Sequence, residues 1–123
     1  MIKYFSINCL SIVATVWLAL LIVGSLQPSR PGIVKGFHRE IHWAAFAGAA
    51  VLLFTLAATR GQKIVAASGI FLLGVSLEIA QNLLYRCGME WRDIGDDALA
   101  ILAAFILYRL AAALMFRPDS RPQ

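Results

Sequence analysis

The chain has 123 residues, of which 60% are apolar and only 15% are charged. Soluble domains carry roughly a quarter charged residues, so a water-soluble fold would lack polar surface, and we expect one membrane domain over residues 1–123. The net charge of +4 comes from Lys and Arg residues that stand singly or in pairs at the ends of apolar runs. This placement is typical of residues that anchor helices at the membrane surface. We therefore do not expect nucleic acid as a partner.

Four apolar runs follow one another along the chain, the first of them without any charged residue between positions 4 and 29. A helix that crosses the hydrocarbon core needs about 20 residues. Lipid offers no partners for open backbone groups, so each run must be helical. We therefore predict an all-α, membrane-embedded bundle of four transmembrane helices, at about residues 5–26, 41–59, 64–85 and 96–116.

The first run has a second interpretation, a cleaved signal peptide. Lys3 would form its basic region and Val23-Gly24-Ser25 would offer small residues for cleavage. The apolar stretch is longer than the usual signal-peptide core of 7–15 residues. We therefore favour a retained span.

Basic residues also predict the orientation. Arg60 and Lys63 lie in a short segment between the second and third runs, and Arg117 and Arg121 lie in the C-terminal tail. Because loops rich in Lys and Arg stay on the cytoplasmic side, we expect both termini in the cytoplasm.

Polar residues gather at the opposite membrane face, where the first and third helices end and the second and fourth begin. Glu78 is the sharpest of them, because it lies about 10 Å along a helix from Tyr85 and hence within the hydrocarbon level. An ionisable residue at that depth is a functional candidate by default, and Gln81 shares its helical face. The alternative is that Glu78 only joins helices to one another.

His38 and His42 are four residues apart around the start of the second run, and they would face the same way if the helix begins early enough to include His38. Glu40 between them would then point to the far side of the helix, unlike the glutamate of a zinc protease motif. We therefore expect no metal and no cofactor. One interfacial and one hydrogen-bonded histidine are the simpler interpretation.

Three aspartates flank the start of the fourth helix. Asp93, Asp96 and Asp97 could cap free N–H groups and complement the helix dipole. Capping accounts for one or two of them and leaves the third unexplained. Their natural ion-pair partners are the arginines of the same face, namely Arg39, Arg86 and Arg92.

These motifs resemble the VanZ-like family of small bacterial membrane proteins, over residues 25 to about 100. The matching segments are Ser25-Leu26-Gln27-Pro28, His42-Trp43-Ala44-Ala45-Phe46, Glu78-Ile79-Ala80-Gln81, Arg86, and Asp93-Ile94-Gly95-Asp96-Asp97. The family's Asp-Lys before the histidine is His38-Arg39 here, its Asn is Asp97, and its following Gly is Ala100. The resemblance implies a four-helix protein of the bacterial inner membrane, in a family named after a protein associated with glycopeptide resistance.

We therefore expect a polar pocket that opens to the extracytoplasmic face and binds an envelope-related, for example lipid-linked, molecule. The candidate lining residues are His42, Glu78, Gln81, Arg86, Asp93 and Asp97. Within this pocket we expect His42 and Glu78 to pair and share a proton. Two alternatives stay open: a membrane enzyme that uses Glu78 and His42 as an acid–base pair, and an assembly subunit that docks another membrane protein.

Overall fold

The computed structural model describes residues 2–27, 37–86 and 88–115, with side chains from residue 7 onward except that of His38. Over these residues the fold is all-α, and its four helices confirm the predicted class. The helices are α1 (Ile2–Ser25), α2 (His38–Leu56), α3 (Arg60–Tyr85) and α4 (Trp91–Met115). The predicted loop at 28–36, Cys87 and the tail after 115 lie outside the described residues.

The boundary between α2 and α3 differs from the prediction, which placed a turn at residues 60–63. That segment is the first turn of α3, and residues 57–59 make the connection. Thr59 is the reason, because its hydroxyl accepts a hydrogen bond from the backbone N–H of Gln62. The Gln62 side chain accepts in return from the backbone N–H of Thr59, and this capping box starts the helix before the apolar run begins.

Helices α2 and α4 also begin earlier than their apolar runs. Their first turns are polar and contain Glu40 and Asp93, respectively. Negative charge is favourable at the positive end of a helix, so a helix can extend N-terminally beyond the segment that the hydrocarbon demands. The predicted starts, at residues 41 and 96, are where the apolar runs begin, and both helices start several residues earlier.

The core forms where α2 packs against the other three helices. Its buried residues, Phe46, Ala49, Ala50 and Phe54, recur at helical spacing on one face. They meet a matching stripe on α4, formed by Ala100, Ile101 and Ala104. They also meet Ile70 and Leu77 of α3. Small residues at these contacts let helix backbones approach closely, as is usual in membrane bundles.

Specific contacts show that α2 and α4 run parallel. Arg39 contacts Asp96 near their N-termini, and further along Phe54 packs edge-to-face on Phe105, with ring centroids 5.6 Å apart. On the other side of α2, Trp17 of α1 donates a hydrogen bond to the Ala45 carbonyl at 2.9 Å. The helices therefore alternate in direction along the chain.

Three of the four helices are long and apolar enough to cross a membrane: α1 from Ile7, α3 and α4. Helix α2 is not among them, and it carries Arg39 and Glu40 in its first turn. Many large apolar side chains of α1, α3 and α4 are exposed, for example Leu20, Leu83 and Leu107. The chain is a membrane-embedded protein whose exposed apolar surface faces lipid.

Candidate functional site

One end of the bundle, here called the polar end, contains the C-termini of α1 and α3 and the N-termini of α2 and α4. Two side chains of α3 tie α1 in place there. The amide of Gln81 donates to the Ser25 carbonyl, and the Tyr85 hydroxyl donates to the Leu26 carbonyl at 2.7 Å. Because the last carbonyls of a helix have no partners within it, these bonds fix the end of α1 against α3.

His42 and Asp97 form the buried centre of the polar end. Nδ1 of His42 lies 3.3 Å from Oδ1 of Asp97, and the two side chains are 16% and 5% exposed. The His42 ring also stacks on Phe46, with centroids 6.0 Å apart. A carboxylate at Nδ1 orients an imidazole and selects its tautomer, so α4 holds the histidine of α2 in one orientation.

Arg39 and Asp96 form a second pair beside the first. Nη2 of Arg39 donates a hydrogen bond to Oδ1 of Asp96 at 2.8 Å, and Nε of Arg39 lies 2.7 Å from Oδ2 of Asp96. This two-point geometry is the strong form of an arginine–carboxylate contact. Arg39 was one of three arginines predicted to partner the aspartates, and it is the one that the structure pairs with Asp96.

Glu78 is buried on α3, with 6% of its surface exposed. Its Oε1 accepts a hydrogen bond from the backbone N–H of Glu90, in the segment that leads into α4. Glu78 and Asp93 also lie near enough to His42 for their charges to act on the imidazole. The carboxylate in direct contact with Nδ1 of His42 is that of Asp97, whereas we had expected Glu78 in this place. The sharing of a proton between His42 and Glu78 stays a prediction.

The remaining candidates have other roles. Gln81 connects α3 to α1, as described above. Arg86 is an exposed residue at the C-terminal cap of α3, with a left-handed backbone at φ 52°. Asp93 is half-buried in the first turn of α4. We define the polar cluster as Arg39, His42, Glu78, Asp93, Asp96 and Asp97.

Because α4 starts at Trp91, helix capping explains fewer of its three aspartates than we had expected. Asp93 is in the first turn, where a carboxylate complements the dipole. Asp96 and Asp97 fall in the second turn and are 8% and 4% exposed. Helix capping therefore explains Asp93 alone, and the two buried aspartates owe their positions to Arg39 and His42 on α2.

A glycine on α3 makes room for this arrangement. A Cβ atom on Gly74 would lie 2.9 Å from Oδ2 of Asp97 and 3.0 Å from Cε1 of Phe46. Real Cβ atoms essentially never approach other atoms below 3.0 Å. Helix α3 can thus pack against Asp97 only because position 74 has no side chain.

A recess of about 170 Å³ adjoins the polar cluster between α1 and α2. Ser25 and His42 are its polar lining residues, and the others are apolar: Leu20, Leu21, Gly24, Ile41, Ala45 and Phe46. A larger groove of about 450 Å³ lies between α3 and α4. Its lining is apolar except for Ser68, and it contains none of the polar cluster, so we assign the candidate site to the smaller recess and the cluster.

Within the described part of the chain, no group of three or more His, Cys, Asp or Glu side chains could hold a metal ion. The side chain of His38, the second histidine of the motif, is not among those described. What the arrangement offers is an oriented imidazole, a paired guanidinium and several carboxylates beside a recess. Such groups can bind a polar molecule or exchange protons with it.

Fold and site together define a small four-helix membrane protein with a polar cluster at one end, in which Glu78, Asp96 and Asp97 are buried. The chain matches no protein-family profile, no curated protein and no solved structure. Its function therefore has to be argued from the cluster itself.

Proposed function

We propose that the chain is a VanZ-like, multi-pass protein of the bacterial inner membrane that binds an envelope-related molecule at the polar cluster. The cluster then faces the extracytoplasmic side, and both termini are cytoplasmic. The polar head group of the molecule lies beside His42 and Asp97. The glycopeptide resistance for which the family is named is the cellular context we propose for this binding.

The observation that supports the proposal is the burial of the His42–Asp97 pair. Removing a carboxylate from water is costly even when it is paired, and a well-packed apolar pair is often as stable or more so. A bundle held together for stability alone has no need of such groups. Ionisable residues inside membrane-spanning helices are rare, and such a residue is a functional-site hypothesis by default.

The experiment uses the full chain extracted in native membrane nanodiscs and examined by native mass spectrometry. We expect the wild type to retain a non-bulk molecule that Asp97→Asn loses, because the substitution removes the charge but keeps the shape. Ser11→Ala is the matched control, since Ser11 is exposed on α1 and only donates to the Ile7 carbonyl one turn earlier. Equal retention by Asp97→Asn and wild type, with both folded, would refute binding at the cluster.

A membrane enzyme is the second candidate, and the contact between His42 and Asp97 favours it. A carboxylate that orients an imidazole is a common arrangement for proton transfer. The two candidates differ in one measurement. If the protein is an enzyme, His42→Gln retains the bound molecule but stops its conversion, and the unconverted form accumulates in the mass spectrum.

A further inference from the structure

Two of the residues that line the recess between α1 and α2 are exposed apolar side chains. Leu20 of α1 and Ile41 of α2 line it and are 66% and 53% exposed. In a membrane-embedded bundle, exposed apolar side chains of this kind face lipid. A molecule would therefore reach the recess laterally from the bilayer, between the two helices.

Its size admits only part of a lipid. A cavity of about 150 Å³ lined by apolar residues accommodates benzene, so about 170 Å³ is room for roughly six carbon atoms. Gly24 helps to create this room, because a Cβ there would meet no atom within 4 Å. A short stretch of acyl chain has the volume and the apolar character that the lining requires.

The surrounding charges indicate which head group could lie at the inner end. Asp97 of α4 contacts His42 directly, and Asp93 of α4 and Glu78 of α3 belong to the same polar cluster. The guanidinium of the polar cluster, that of Arg39, is already bound at two points by Asp96. A phosphate beside His42 would lie next to the Asp97 carboxylate, which contacts the imidazole at 3.3 Å. Like charges repel, so an anionic head group would be disfavoured there. An uncharged hydroxyl fits, because the polar residues that line the recess are Ser25 and His42.

We infer that the recess seats the first carbons of an acyl chain of a membrane lipid whose uncharged, hydroxyl-bearing head group lies beside Ser25 and His42. This inference rests on the proposed function and specifies its ligand class. The acyl chain of the lipid occupies the space over Gly24 and Ala45. The rest of the lipid stays in the bilayer outside Leu20 and Ile41.

The test is photolabelling in phosphatidylcholine nanodiscs that contain a trace of diacylglycerol with a diazirine close to the ester of one chain. Labelled positions are located by peptide mass spectrometry. Gly24→Leu fills the recess, and Gly69→Leu is its matched control, because a Cβ at Gly69 also meets nothing within 4 Å. Both replace a helical glycine, which by itself favours the helix.

We expect labelling of Ala45 and Phe46 in the wild type, a several-fold loss in Gly24→Leu, and no loss in Gly69→Leu. Labelling at the exposed Leu72 measures bulk lipid contact and stays constant in all three. A photoreactive phosphatidic acid with the same chains should label the recess less than the diacylglycerol does. Undiminished labelling of Ala45 and Phe46 in Gly24→Leu would overturn the assignment of the recess to an acyl chain. Equal labelling by diacylglycerol and phosphatidic acid would overturn the assignment of an uncharged head group.

Failure here and failure of the proposed function are distinguishable. If Asp97→Asn loses its retained molecule while Gly24→Leu labels normally, the cluster binds a ligand whose chain lies elsewhere. If Asp97→Asn loses nothing while Gly24→Leu blocks labelling, the recess takes a chain without the cluster recognising its head group, which overturns the inference as stated.

Discussion

Replacing Gly74 by alanine tests the packing on which the polar cluster depends. The added Cβ would lie 2.9 Å from Oδ2 of Asp97, with two Phe46 carbons at 3.0 and 3.2 Å. Ordinary van der Waals contact begins near 3.4 Å, so several atoms must move by roughly half an ångström. Neither side chain moves freely, because Asp97 is held by His42 and Phe46 is 1% exposed.

The expected magnitude follows from two opposing effects. Alanine favours a helix over glycine by about 0.5–1 kcal/mol, whereas overpacking of a close-packed core costs about 1–3 kcal/mol. Gly69→Ala gains the first effect without the second, because its Cβ meets nothing within 4 Å. The difference between the two variants isolates the steric cost, and Gly74→Ala should be less stable than Gly69→Ala by about 1–3 kcal/mol.

The assay is reversible unfolding in mixed micelles, followed by far-ultraviolet circular dichroism, with both variants measured beside the wild type. The repulsion should diminish when Phe46→Leu is combined with Gly74→Ala, since the smaller side chain relieves two of the three close contacts. Equal unfolding free energies for Gly74→Ala and Gly69→Ala would refute the close approach of α3 to Asp97 and Phe46.

Two further predictions concern the opposite end of the bundle. Thr59→Ala removes the cap of α3 and should lower the free energy of unfolding by about 1 kcal/mol, whereas Thr55→Ala, whose hydroxyl only donates to the Val51 carbonyl, should change it little; equal losses would argue against the capping box. The second prediction concerns the orientation in the membrane, with the segment between α2 and α3 on the cytoplasmic side. A single cysteine in place of Gly61, in a variant without Cys9 and Cys87, should not react with an impermeant thiol reagent added outside intact cells. Gly61 suits this test because a Cβ there meets only Thr59 Oγ1, at 3.9 Å. Labelling from outside would reverse the proposed topology.

The helices themselves could be predicted because the bilayer leaves few alternatives. An uncharged apolar run of sufficient length has to be helical, and no knowledge of packing is needed. Helix starts were harder to predict, because caps and polar first turns determine them. Thr59 and Gln62 are three residues apart, which is the spacing of a capping box, and that signal was available in the sequence.

The partner of His42 could not be predicted from chain order. The short connection between α2 and α3 led us to pair His42 with Glu78, since neighbours in sequence are usually neighbours in space. Helix α2 instead makes its main contact with α4. Ala49 and Ala50 on α2 and Ala100 and Ala104 on α4 belong to the same buried cluster, and their small size allows the close approach that brings Asp97 to His42.

The position of Asp97 in the second turn of α4 gives the strongest reason to regard the polar cluster as a site. A carboxylate in the first turn would be explained by the helix dipole, whose influence fades beyond that turn. Asp97 is one turn deeper and 4% exposed, and α3 has a glycine where any side chain would displace it. A helix pair that needed only stability would place an apolar residue at position 97 and a larger one at position 74. Three helices instead accommodate the contact between Asp97 and His42, at the inner wall of a recess that opens between α1 and α2.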